Sequence, residues 1–168
     1  MKYLQAYPES AREQASHLLS ENRLGAWLLQ KYPEPHGLRS DSALFGYVQE
    51  LKSQFLRGEE SLSKICYDSK IQVMKHALGL HKTISRIQGH KLKTKHEIHI
   101  ATLFRDAPLA FLRMIVVHEL AHLRHSQHDK AFYKLCSHME PAYAQLEFEL
   151  RLYLSDLETH GLRLWQEK

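Results

Sequence analysis

Residues 114–128 read MIVVHELAHLRHSQH, and both the fold and the chemistry of the chain turn on how that stretch is wound. On a helix, residues four apart lie one turn apart on the same face, so His118 and His122 can aim imidazole nitrogens at a single ion. Glu119 stands beside that face, where it can reach a water on the metal. The spacing alone is weak evidence: in a chain of 168 residues with thirteen histidines it is expected by chance about 0.08 times. Context supplies the rest. Asp106 can cap a helix with Pro108 in its first turn, where proline's missing N–H costs nothing, and Leu109, Leu112, Ile115 and Val116 carry the helical period into the motif.

A hydrolytic zinc needs three protein ligands and an open position for water. His125 lies on the same stripe as His118, but on a straight helix it would stand about 10 Å along the axis from it. Three rungs of one ladder cannot converge on one ion with bonds of about 2.1 Å. His128 can, if the helix ends near Leu123 to Gln127 and the chain folds back through Ser126-Gln127 to a cap at Asp129, before a helix Lys130 to Met139. A downstream carboxylate, Glu140 or Glu147, is the remaining option.

Outward from the motif, Pro141 opens a last long helix with an apolar stripe of Leu146, Leu150, Tyr153, Leu154 and Leu157. Upstream, Thr83 to Ile87 and His96 to Ile100 alternate at period two around a turn at Gln88-Gly89-His90-Lys91, which predicts a hairpin of basic strands. Before it, a short helix from Lys70 to Leu78 with Gly79 as its stop is expected, and Ile65 to Tyr67 can form a short strand. The N-terminal part reads as a helix from residue 9 to about 31, weakened at Gly25, then a break at Pro33, Pro35 and Gly37. A second helix follows from about Asp41, with Leu44, Val48, Leu51 and Phe55 on one face, stopping near Gly58. The expected class is α+β: a small sheet or hairpin packed on an active-site helix with flanking helices, preceded by an N-terminal helical hairpin. The division falls at residues 1–58 and 59–168, as one compact unit.

The hydrophobic fraction of 43% and charged fraction of 25% are those of a soluble globular protein. No secretory h-region opens the chain, and the longest strongly apolar run is Met114 to Val117, so no membrane span is expected. Two cysteines, Cys66 and Cys136, form neither a disulfide framework nor a CxxC pair, which fits a reducing cytoplasm. Cys66, Cys136, Trp27 and His138 read as core or surface residues. The net charge of +4 is local: residues 61–105 hold nine Lys/Arg against two Asp/Glu, whereas the flanking parts are slightly acidic. That basic lobe, between residues 75 and 95, suits phosphates or nucleic acid.

The run MIVVHELAHLRHSQHDKAFYKLCSHMEPAY, residues 114–143, resembles the YgjP-like metallopeptidase domain: HELAH, a histidine six residues on, an aromatic at Phe132, then Met139-Glu140-Pro141-Ala142-Tyr143. The likeness extends upstream through LGLHKTISRIQGHKLK and HEIHIATLFRDAP. The resemblance implies a zincin-like fold, one Zn2+ per chain on His118, His122 and His128, and Glu119 as catalytic acid/base. Many broader relatives carry Arg-x-Gly-Ser-Cys in the strand region, where this chain has Arg86-Ile87-Gln88-Gly89-His90, so no substrate role is carried through that element.

The parts give a mechanism in which zinc acidifies a water, Glu119 takes its proton, and the hydroxide attacks a polarised electrophile. For a peptide substrate, the strand Lys95 to Leu103 would be the edge to pair with, and Arg86 and Tyr143 are the candidate substrate or oxyanion contacts. The metallopeptidase reading comes first. The alternative is a nucleoside-triphosphate pyrophosphohydrolase using the same centre, since UTP hydrolysis is attached to the family the chain resembles. The third is a nucleic-acid-associated module whose zinc is structural.

Overall fold

The computed structural model describes residues 2–5, 7–20, 23–71, 79–88 and 91–166, with the backbone alone described for residues 2, 79–88 and 91–94. Among the described residues there are six α-helices, α1 (Glu9–Ser20), α2 (Leu24–Lys31), α3 (Asp41–Phe55), α4 (Leu109–Ala121), α5 (Lys130–Met139) and α6 (Tyr143–His160), and a sheet of β1 (Leu62–Asp68), β2 (Gly79–Gln88) and β3 (Lys91–Ala101). This is the α+β arrangement that the sequence predicts.

The expected hairpin forms as β2 and β3, antiparallel from Gly79 opposite Ile100 to Gln88 opposite Lys91. Its strands are longer than the alternating runs, and Gly79 begins β2 rather than ending a helix. The rest of the helix expected at Lys70–Leu78 lies mostly at 72–78, outside the described residues, as do Gly89 and His90 of the turn. The larger correction concerns β3. Strand β1, a full seven residues where only a short strand was expected, pairs with β3 in parallel, giving the order β1-β3-β2. Over residues 96–100 both edges of β3 are therefore taken, and a peptide cannot add there by strand pairing.

Helix α4 is buried almost all round, from Phe111 and Leu112 through Met114–Val117 to Leu120 and Ala121, as befits a helix with no polar face. It touches β2 and β3 on one side and α3, α5 and α6 on others. Pro108 caps it from an extended conformation, with no help from Asp106, whose carboxylate instead pairs with Arg39 at 2.7 Å. Ile65, Tyr67, Ile98 and Ile100 supply the sheet's face of a core that runs from Leu4 to Trp165.

The first predicted helix is split into α1 and α2. Gly25, in the first turn of α2, lies where a Cβ would come within 3.0 Å of Leu164 and 3.4 Å of Asp156, so the glycine permits close approach to α6 and the C-terminal tail. Helix α2 is tied to α6 by Glu149, fully buried, which accepts from Lys31, Tyr32 and Gln145. Ser40 caps α3 by accepting from Ala43 N–H at 3.1 Å. Gly161, with φ of 70°, ends α6 in the left-handed conformation that favours glycine. No helix among the described residues is long and apolar enough to cross a membrane.

Candidate metal centre

Helix α4 stops at Ala121, earlier than the sequence suggests, and the last turn tightens. Leu123 N–H donates to Leu120 at 3.0 Å, and His125 N–H to Ala121 at 3.0 Å. The chain reverses through Ser126 and Gln127. Asp129 then caps α5 by accepting from Phe132 N–H at 2.8 Å. This early stop and locally encoded cap return His128 to the ladder that His118 and His122 make on α4.

The three Nε2 atoms converge: His128 Nε2 lies 3.1 Å from that of His118 and 3.1 Å from that of His122. Ligands about 2.1 Å from a tetrahedral ion stand roughly 3.4 Å apart, so a small inward-facing cage of this size is close to what such an ion needs. Among the described residues this is the one group that brings three such ligand atoms within 4.8 Å of one another. Phe132, fully buried, forms the floor, its ring centroid 4.9, 4.8 and 4.8 Å from those of His118, His122 and His128.

The far nitrogens show what the near ones are free to do. His122 Nδ1 donates to the His125 carbonyl at 2.9 Å, which can only accept, so its Nε2 carries a lone pair and no proton. His118 Nδ1 lies 2.7 Å from the Tyr143 hydroxyl. Burial, and then the neighbouring His122 and His128, hold His118 far below the ordinary histidine value, at about 3. Burial also lowers His122. Neutral imidazoles with Nε2 atoms crowded together and few protons to share fit a cation, which removes the repulsion between their lone pairs.

Glu119 is 3% exposed, and burial pushes its carboxyl up to about 8. The alternatives for a third ligand are engaged elsewhere. Glu140 bonds Arg113 and accepts from Ala142 N–H at 3.1 Å, and Glu147 pairs with Arg151 at 2.7 Å. His125 contributes its carbonyl, as just described. His138 is exposed, edge-on to Phe55 with ring centroids 5.7 Å apart.

Of the two expected substrate contacts, Arg86 sits on β2 opposite Lys93, with its side chain outside the described residues. Tyr143 is 1% exposed with its hydroxyl on His118, so it faces the back of a candidate ligand and not the open side of the cage. Arg113, five residues before His118 on α4, places it there: its guanidinium holds Glu140 and donates to the Met139 carbonyl at 3.0 Å, clamping the turn that delivers Tyr143. Sequence reasoning missed this part for Tyr143, as it missed the His125 carbonyl. Nothing local announces a bond spanning 25 residues. Of the basic lobe, His96 bonds Glu60 at 2.8 Å, Lys95 is exposed, and the remaining side chains lie outside the described residues.

A second histidine cluster lies on the opposite face of the sheet from the isoleucines. His99 Nδ1 stands 2.9 Å from Asp68 and 3.4 Å from Cys66 Sγ, while Nε2 stands 3.0 Å from Glu97. Each ring nitrogen of His99 thus has a carboxylate beside it. All four residues line a cleft with Asp41, Lys64 and Lys70.

Comparison with known proteins gives the family. The model of the YgjP-like metallopeptidase domain matches residues 54–153, more than half of the chain. A protein of Escherichia coli (strain K12) called UTP pyrophosphatase is 56% identical over 157 residues, which span 94% of each chain. No solved structure matches.

Proposed function

This chain belongs to the YgjP-like metallopeptidase-domain family, and from that premise we propose that it is a zinc-dependent hydrolase that cuts a nucleoside triphosphate, UTP foremost, at a phosphoanhydride bond. The family and the relative make it a metal-dependent hydrolase; the choice of nucleotide is carried by one observation, the 56% identity to a UTP pyrophosphatase along nearly the whole chain. Two features support that choice. The basic strands β2 and β3 touch α4, and over residues 96–100 β3 is paired on both edges, which leaves no place there for an extended peptide.

His118, His122 and His128 would hold the ion, one per chain. When bound, it supplies a water of near-neutral pKa and a positive charge against the phosphate oxygens. The remaining work falls to the protein. Glu119, whose carboxyl burial holds up at about 8, would be brought toward its ionised form by a positive charge close by, and so could accept the proton of the attacking water. Oxygen adds to phosphorus as the phosphoanhydride bond breaks, and the departing pyrophosphate takes the electron pair, with Glu119 able to return the proton. Phe132 keeps water from the underside of the histidines. Cys66 and Cys136 are free thiols, in keeping with the cytoplasm as the working compartment.

Peptide hydrolysis is the second reading, favoured by the Glu119 carboxyl on the same helix as two candidate ligands. Zinc-loaded protein incubated with UTP and with a panel of peptides, beside Glu119→Gln, separates the two. UTP turnover lost in Glu119→Gln supports the nucleotide reading. Peptide cleavage without UTP turnover replaces it, and DNA binding with neither activity would favour a nucleic-acid module.

A further inference from the structure

We propose that Tyr143 is a positioning residue for the metal centre: it holds His118 in the tautomer that leaves Nε2 bare. The inference rests on the metal-centre reading and concerns how one ligand is prepared.

The two helical histidines are held differently. His122 Nδ1 meets a peptide carbonyl, which has no proton to give, so its tautomer is fixed unconditionally. His118 Nδ1 meets a phenol at 2.7 Å, and a phenol can either accept from Nδ1–H or donate to a bare Nδ1. In the second arrangement the proton of His118 sits on Nε2, aimed into the cage, and the ligand is lost. An ion held by the three Nε2 atoms would take the lone pair of His118 there, which leaves the proton on Nδ1 and the Tyr143 oxygen as its acceptor.

Changing the hydrogen-bond partner of a ligand histidine typically costs 10–100-fold in metal affinity. The test pairs Tyr143→Phe with Tyr153→Phe, the same loss of one oxygen from a buried tyrosine of the same helix, here one that packs on Phe111 and Trp165 away from the cage. Zn2+ affinity by chelator competition and the visible spectrum of the Co2+-substituted protein are the readouts. Tyr143→Phe is expected to bind Zn2+ about 10–100-fold more weakly and to shift the Co2+ bands, with Tyr153→Phe unchanged in both. Wild-type affinity and spectrum in Tyr143→Phe would overturn the inference, as would an equal loss in Tyr153→Phe. A wild-type chain that takes up no Zn2+ would overturn the metal-centre reading, and this inference with it.

Discussion

Three histidines gather at the end of α4 and another, His99, stands among acidic partners on the outer face of the sheet, and the two places are built on opposite plans. At the first, three Nε2 atoms face one another within 3.1 Å of His128 with no carboxylate among them. At the second, one imidazole has a carboxylate on each nitrogen, Asp68 at 2.9 Å and Glu97 at 3.0 Å. At His99 both ring nitrogens have carboxylate partners within the protein. The triad has no carboxylate among its ligand atoms, and in the proposed metal centre a cation would meet its converging Nε2 atoms. What sets the proposed metal centre apart from the His99 site is the carboxylate that is missing, more than the number of histidines present.

The comparison can be broken most severely by taking the cation away. Chelation should reduce hydrolysis to background and added zinc should restore it; an unchanged rate in metal-free protein would make the triad as self-sufficient as the His99 cluster. Next in size, Glu119→Gln is expected to lower kcat by about 10²–10⁴-fold with the metal still bound, because the proton acceptor is lost and the ligands are not. Loss of metal in that variant would place Glu119 in the cage. In the other region, His99→Gln should leave metal content and turnover alone and lower the unfolding free energy by about 1–3 kcal/mol in urea titrations, since it leaves partly buried carboxylates without their partner. A drop in turnover at unchanged metal content would tie the two regions together.

The smallest effect sharpens the contrast with a third kind of histidine. His36 is 8% exposed and neutral: its Nε2–H donates to the Phe104 carbonyl at 2.7 Å and its Nδ1 accepts from Leu38 N–H at 3.0 Å. Burial holds it below the ordinary value of 6.5. The unfolded chain therefore binds its proton more readily, so this stability is complete above pH 6.5 and is lost as pH falls through that value. Urea unfolding at pH 7 and pH 5 should show a steeper acid loss in the wild type than in His36→Gln, by less than about 1.4 kcal/mol per pH unit. Equal slopes would contradict it. His118 and His122, lowered by burial too, add to the acid loss in both metal-free proteins with the same sign.

What could be read from the sequence was local. The helix of residues 114–121, the reversal at Ser126-Gln127 and the Asp129 cap all lie within a few residues of the histidines they position, and so does the convergence of His128. The stretch from residue 9 to 31 looked like one helix because apolar spacing continues across its break, while Gly25 answers to Leu164 and Asp156 far along the chain. The alternation of β3 reveals a strand but not its neighbours, and the parallel partner β1 lies more than twenty residues upstream. The bond from Tyr143 to His118 and the joining of His99 to Asp68 are likewise made by tertiary packing, for which period and propensity carry no signal.

The central claim, that the triad binds an ion and the His99 cluster does not, is tested most directly by the zinc content of wild type, His128→Ala and His99→Ala purified alike. The account predicts one zinc per chain, none, and one. A full complement of zinc in His128→Ala would contradict it.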